Sequence, residues 1–93
     1  MPVQEPATLR VLGPPDGEPV SVVIVDVSHG GMGLRTPMCL TPGAKVQILM
    51  GRSVALVAEV RHTKVSRDEF YAGVRIENVE DFQKIEFSGA GEH

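Results

Sequence analysis

Tryptophan is absent from this 93-residue sequence, which contains one tyrosine, three phenylalanines and one cysteine. A single cysteine cannot form an internal disulfide, and Cys39 shows no spacing typical of a zinc site relative to His29, His62 and His93. We therefore predict no metal site, and an ordinary buried or semi-buried thiol at Cys39. No apolar run approaches the roughly 18 residues that span a bilayer, so we predict no membrane insertion.

Basic residues are few and scattered. The chain has nine of them against twelve acidic residues, which gives a net charge of −3. A protein that binds a nucleic-acid polymer needs several basic residues on one face to displace counterions, so this class of partner is not predicted. The sequence also lacks a nucleophile elbow, a P-loop and a dinucleotide fingerprint. We predict no enzyme activity, no catalytic residues and no cofactor.

The length fits one domain over residues 1–93, in which we expect residues 1–6 and 88–93 to be flexible. The N-terminal residues have neither the basic region nor the apolar stretch of a signal peptide, so we expect a cytoplasmic location. Alternation of apolar and polar residues predicts six strands, at residues 7–12, 20–27, 33–36, 45–50, 53–64 and 70–76.

Two details of these strands bear on a site. His62 falls on the same face of the fifth strand as Val60, which is typical of a core or edge histidine, and Gly73 suggests a bulge or a close backbone approach. Apolar spacing over residues 79–87 predicts a short C-terminal helix. The pattern as a whole indicates an all-β fold, either a barrel or a sandwich.

The most constrained stretch is residues 26–34, where an apolar strand runs directly into a tight polar turn. Asp26 and Ser28 can hydrogen-bond to backbone N–H groups one or two residues on. Gly30, Gly31 and Gly33 allow a positive φ and leave the backbone uncovered. We expect a rigid, exposed loop of N–H donors that receives an anionic or hydrogen-bonding ligand.

This stretch resembles the second signature of the PilZ domain in the residues Asp26-x-Ser28-x-x-Gly31-x-Gly33-Leu34. The resemblance extends over roughly residues 8–77 and includes the order of the strands around the motif. It implies a six-stranded antiparallel β-barrel that binds the bacterial second messenger cyclic di-GMP. Implied site residues are those of the loop: Asp26, Ser28, His29, Gly30, Gly31 and Gly33.

The first signature of that family, two arginines four residues apart near the N-terminus, is absent. Arg10 is the only arginine before the motif, and the positions four residues to either side are Pro6 and Pro14. Arginine suits a cyclic dinucleotide because its planar fork binds phosphate and also stacks on bases. Arg35, just after the motif, and Arg61, in the long fifth strand, are further candidates for the missing charge, as is Arg10.

Three functions follow from these observations. The first is a signalling module in which direct binding of cyclic di-GMP is weakened or lost because the arginine pair is missing. The second is a protein-interaction adaptor barrel in motility or secretion that binds no nucleotide. An unrecognised enzyme is the third and the least supported. A protein partner is expected for either of the first two.

Overall fold

Six antiparallel strands close into a barrel in the computed structural model, which describes residues 2–51, 54–78 and 85. The spatial order is β1-β2-β3-β6-β5-β4, and pairing of β4 with β1 closes the sheet. This confirms the predicted six-stranded barrel. The predicted helix over residues 79–87 lies, apart from Ile85, outside the described residues. The strands are β1 (Pro2–Val11), β2 (Val20–Val27), β3 (Gly31–Thr36), β4 (Lys45–Met50), β5 (Val54–Ser66) and β6 (Glu69–Ile76).

The first strand begins at Pro2, so its predicted start at residue 7 is wrong. Residues 2–6, expected to form a flexible lead-in, pair with β2, where Pro2 lies opposite Asp26 and Pro6 opposite Val23. Pairing of β1 with β4 starts only at Thr8. Among the described strands, the first part of β1 is therefore an edge, and an edge tolerates prolines because no ladder bond needs their missing N–H on that side. The other predicted boundaries agree with the structure to within two residues.

The barrel interior is filled by aliphatic side chains that alternate along the strands, as a period of two requires. One further residue comes from the loop between β3 and β4: Leu40 is buried, and Thr63 Oγ1 donates a hydrogen bond to its carbonyl at 2.7 Å. Its neighbour Cys39 is exposed, so the predicted burial of the thiol is wrong. The largest fully buried aliphatic side chains are Leu9, Ile24, Leu34, Leu40, Val46, Ile48, Leu56, Val60 and Ile76.

A tight turn leads the chain from this loop into β4. Ala44 N donates to Thr41 O at 3.0 Å, and Gly43 has a φ of 93°. Proline followed by a glycine with positive φ is typical of a type II turn, in which Pro42 and Gly43 take the two central positions. The sequence Leu40-Thr41-Pro42-Gly43 predicts a turn because of its proline and glycine, and the structure contains that turn.

A β-bulge interrupts the pairing of β2 with β3. Ile24 lies opposite Leu34 and Asp26 opposite Gly33, which leaves Val25 as the extra residue. A bulge changes which face the following side chains occupy. Ile24 is consequently buried in the core, whereas Asp26, two residues later, is exposed beside Gly33.

A second bulge lies in β5, on the other side of the β3–β6 pair. Val60 is opposite Val74 and His62 opposite Gly73, so Arg61 is the extra residue. The extra residue reverses the inward and outward alternation, because a shift of one position moves every later side chain to the other face. The prediction that His62 shares the face of Val60 is therefore wrong: Val60 is buried and His62 is exposed.

Candidate functional site

One row of residues crosses four adjacent strands on the outer surface of the barrel. Asp26 of β2 pairs with Gly33 of β3, Gly33 with Gly73 of β6, and Gly73 with His62 of β5. Residues that pair across strands share a face of the sheet. Both residues in the middle of the row are glycines, and the row is bounded by Asp26 and His62. Both bulges lie at the ends of this row.

A depression of about 200 Å³ lies over the two glycines. We call it the glycine depression. Gly31, Gly33 and Gly73 line it, and each of them contributes only main-chain atoms. The side chains around it combine a carboxylate, a hydroxyl, a guanidinium and two rings, and they belong to Asp26, Ser28, Arg61, His62 and Tyr71.

The two rings stand where the glycines lack side chains. A Cβ on Gly33 would overlap the Tyr71 hydroxyl, and a Cβ on Gly73 would overlap the imidazole of His62. The ring centroids of His62 and Tyr71 are 6.3 Å apart, with their planes inclined by 38°. Glycine at both positions allows the aromatic side chains to approach the backbone closely, and a larger residue would displace a ring. The close approach predicted at Gly73 is confirmed. The bulge predicted as its alternative lies in the paired strand β5, at Arg61.

The hairpin loop between β2 and β3 is held by three hydrogen bonds. Ser28 N donates to Gly31 O at 2.9 Å, and Ser28 Oγ donates to the same carbonyl at 3.3 Å. Ile76 N donates to Gly30 O at 2.9 Å, which ties the loop to the end of β6. The Ser28 hydroxyl therefore donates to a carbonyl, whereas the predicted partner was a backbone N–H group.

The prediction of positive φ at Gly30, Gly31 and Gly33 is wrong. Gly31 and Gly33 lie inside β3, in extended backbone that any residue adopts. What restricts position 31 is space, because a Cβ there would lie 2.6 Å from the Val74 carbonyl oxygen. At Gly30 an added Cβ would meet nothing within 4 Å. Among the described glycines, a positive φ occurs at Gly43 and Gly51.

The glycine depression brings together part of the predicted site: Asp26, Ser28, Gly31, Gly33 and Arg61. These residues come from three strands and the β2–β3 loop, and Arg61 is far from the others in sequence. Its place at the depression follows from the bulge in β5, where it is the extra residue.

Other predicted residues do not line the depression. His29 is exposed in the β2–β3 loop, next to Gly30. Arg35 forms an ion pair with Glu69, with 3.7 Å between Arg35 Nε and Glu69 Oε2. Arg10 lies opposite Gln47 in the β1–β4 pair, on another part of the barrel.

Sequence reasoning missed four residues in and beside the depression: His62, Tyr71, Gly73 as the partner of Gly33, and Arg75. The sequence contains one indication of this surface, the predicted close approach at Gly73, but it did not identify the His62 ring as the approaching group. Arg75 lies next to the site because it pairs with Gly31 across β3 and β6.

Charged side chains continue from the depression across β6 and β5. Arg75 Nη2 donates to Glu59 Oε1 at 3.1 Å, and Arg61 Nη1 lies 3.8 Å from the same oxygen. The Arg75 hydrogen bond is the main cause that lowers the pKa of Glu59, and the charges of Lys45 and Arg61 act in the same direction. Partial burial of the carboxyl opposes them. Glu59 is therefore an anion held by two arginines at neutral pH.

Comparison with models of protein families matches residues 2–87 to the PilZ domain. The chain belongs to the PilZ domain family. No significant match was found among curated proteins or among solved structures. PilZ domains are binding and adaptor modules of cyclic di-GMP signalling, which assigns this chain to that general role.

Two further findings concern the described residues of this PilZ domain. They contain no helix long and apolar enough to cross a membrane. Nor do they contain a group of three or more His, Cys, Asp or Glu side chains arranged to hold a metal ion.

Proposed function

We propose that this chain is a cytoplasmic PilZ signalling module that binds cyclic di-GMP weakly and directly at the glycine depression. The observation that carries the proposal is the convergence of Asp26, Ser28 and Arg61 on one surface with two aromatic rings. A guanine nucleotide needs hydrogen-bond acceptors, a stacking surface and a cation, and this surface offers each of them.

Each side chain has a distinct role in this proposal. The Asp26 carboxylate accepts hydrogen bonds from the N–H groups of a guanine edge, and Ser28 adds a hydroxyl beside it. The rings of His62 and Tyr71 offer surfaces on which a base stacks. Arg61 supplies positive charge for a phosphate. The glycines allow the two rings to lie close against the strands.

Binding by these 93 residues is weak because the ligand carries two phosphates and the family's arginine pair is not among them. A hydrogen bond to a charged group contributes about 1.5–3 kcal/mol, so loss of two arginine contacts costs about 3–6 kcal/mol, or about two to four decades in Kd. The depression, at about 200 Å³, is also smaller than the pockets that enclose most small ligands, which start at roughly 300 Å³. The net charge of −3 adds no long-range attraction for an anion.

An amide-shift titration of the full chain with cyclic di-GMP tests the proposal. We expect small shifts at millimolar ligand, concentrated at residues 26–34 and at Arg61, His62 and Tyr71. Saturation at micromolar ligand would contradict weak binding. Shifts confined to other parts of the barrel would contradict the assignment of the site.

A matched pair of variants separates recognition from net charge. Asp26→Asn keeps the shape of the side chain but leaves one oxygen acceptor in place of two, so we expect smaller shifts. Asp68→Asn removes the same charge from an exposed position in the β5–β6 hairpin and should leave the shifts unchanged. Equal titrations for the two variants would show that the Asp26 carboxylate does not contact the ligand.

An adaptor that binds no nucleotide is the second candidate, and it has its own observation. Val65 is 73% exposed near the end of β5, and Met38 is also exposed, although most large apolar side chains of the described residues are at least partly buried. Exposed apolar side chains are common in contacts with other proteins. Absence of any shift with cyclic di-GMP, in a chain whose spectrum is that of a folded barrel, would favour this candidate.

A further inference from the structure

Arg75 and Glu59 extend the site beyond the residues that line the glycine depression. Gly31, which lines it, pairs with Arg75 across β3 and β6, and Arg75 pairs with Glu59 across β6 and β5. Paired residues share a face, so both charged side chains lie on the outer surface immediately beside the depression. Arg61 belongs to the depression and to this charged group alike.

Two guanidinium groups converge on one oxygen atom. Arg75 Nη2 lies 3.1 Å and Arg61 Nη1 lies 3.8 Å from Glu59 Oε1. The side chains of Arg61 and Arg75 are 56% and 57% exposed, so a ligand in solution reaches both of them. Two arginines together therefore stabilise a negatively charged oxygen at this position.

We propose that Arg61 and Arg75 form a phosphate clamp for the nucleotide, and that Glu59 occupies this clamp in the free protein and competes with the phosphate. The proposal rests on the proposed function, since it concerns a phosphate of a ligand at the glycine depression. A phosphate oxygen accepts the same charge-assisted hydrogen bonds as a carboxylate, and arginine forks suit both. The clamp comes from β5 and β6 and is independent of the N-terminal signature that this sequence lacks.

Competition by Glu59 gives a specific reason for weak binding. A phosphate that enters the clamp must displace the carboxylate from two cations, and it is repelled by the displaced charge if that charge stays close. Lys45 lies opposite Glu59 in the β4–β5 pair, so a displaced carboxylate retains one cation beside it. The exchange is therefore possible at a cost that lowers affinity without abolishing binding.

The first test compares Glu59→Gln with Glu77→Gln in amide-shift titrations with cyclic di-GMP. Both variants remove one negative charge, but Glu77 contacts Lys45, whereas Glu59 contacts the two arginines. We expect Glu59→Gln to bind about fivefold more tightly than the parent and Glu77→Gln to change binding less than about twofold. Equal affinities for the two variants would overturn the competition by Glu59.

The second test compares Arg75→Gln with Arg67→Gln. Both remove one positive charge, and Arg67 lies in the exposed turn between β5 and β6. We expect Arg75→Gln to bind cyclic di-GMP about fivefold more weakly, and Arg67→Gln to bind like the parent. Guanosine has no phosphate, so all four variants should bind it with equal affinity in the same titration. Loss of guanosine binding in Arg75→Gln would overturn a phosphate-specific role.

The results separate this inference from the function on which it rests. Shifts at residues 26–34 in every variant, with Arg75→Gln equal to Arg67→Gln, would overturn the clamp and leave the depression as a nucleotide site. Absence of shifts in both the parent and Glu59→Gln would overturn the clamp and the nucleotide site together.

Discussion

The imidazole of His62 covers Gly73 on the outer surface of the barrel, at the position where a side chain of residue 73 would begin. The two residues face each other across β5 and β6, and the bulge at Arg61 turns His62 to this side. Tyr71, which pairs with Arg35 on β3, covers Gly33 in a similar way with the hydroxyl end of its ring. The two aromatic side chains and the two glycines therefore form one packed unit, and this unit sets the shape of the candidate site.

Gly73→Ala should lower the free energy of unfolding through the contact with His62. An added Cβ forces the imidazole away from the strand, and such overpacking costs about 1 kcal/mol where an exposed ring is able to move. In a His62→Ala background the same substitution should be neutral or stabilising, because alanine suits a strand better than glycine. Urea unfolding of the four proteins measures both effects. An equal loss in the two backgrounds would mean that something other than the imidazole restricts residue 73.

The strands were predictable from the sequence because alternation of apolar residues follows directly from burial of one face. The type II turn at Pro42 and Gly43 was predictable for an equally local reason. The first residues of β1 were not predictable, because Pro2 and Pro6 argue against a strand. They fit a strand only where no neighbouring strand pairs with one of its sides. That absence is a property of the closed barrel and cannot be read from residues 1–6 alone.

The candidate site was predictable only in part. The motif identifies Asp26, Ser28 and the glycines of β3, but the other half of the surface depends on the bulge at Arg61. A bulge leaves no mark in the alternation before it, so His62 was assigned to the wrong face. Arg75 was missed because its place beside the site follows from strand pairing with Gly31, which is 44 positions away in the sequence.

Gly31→Ala and Gly30→Ala form a second matched pair for stability. At position 31 the Cβ would lie 2.6 Å from the Val74 carbonyl oxygen, a backbone atom that cannot move aside without disturbing the β3–β6 pair. We expect a loss of about 1–3 kcal/mol in the free energy of unfolding. At position 30 the space is open, so the change should stay within about 0.5 kcal/mol. A large loss in Gly30→Ala would indicate a conformational requirement in the loop.

The ion pairs of Glu59 should appear in the pH dependence of stability. Arg75 lowers the pKa of Glu59 below its ordinary value of 4.5, with further help from Lys45 and Arg61. A carboxyl whose pKa is lowered by folding stabilises the protein fully above its unfolded-state pKa, and this contribution is lost as the pH falls through the folded-state pKa. The stability difference between the parent and Glu59→Gln, measured by urea unfolding, should therefore shrink as the pH falls below 4.5. In an Arg75→Gln background the difference should depend less on pH, and an unchanged dependence would show that Arg75 is not the cause.

The aromatic ring of Tyr71 should matter for nucleotide binding, while its hydroxyl should not. Stacking of a base on an aromatic side chain contributes about 1–3 kcal/mol, so Tyr71→Ala should weaken the response to cyclic di-GMP about tenfold in an amide-shift titration. Tyr71→Phe keeps the ring and should bind like the parent, because the hydroxyl lies against Gly33 and is not needed for stacking. The two variants together distinguish a stacking surface from an obstruction. If the ring of Tyr71 instead fills the space that a base would occupy, Tyr71→Ala would bind more tightly than the parent. That result would place the base directly against the backbone of Gly33.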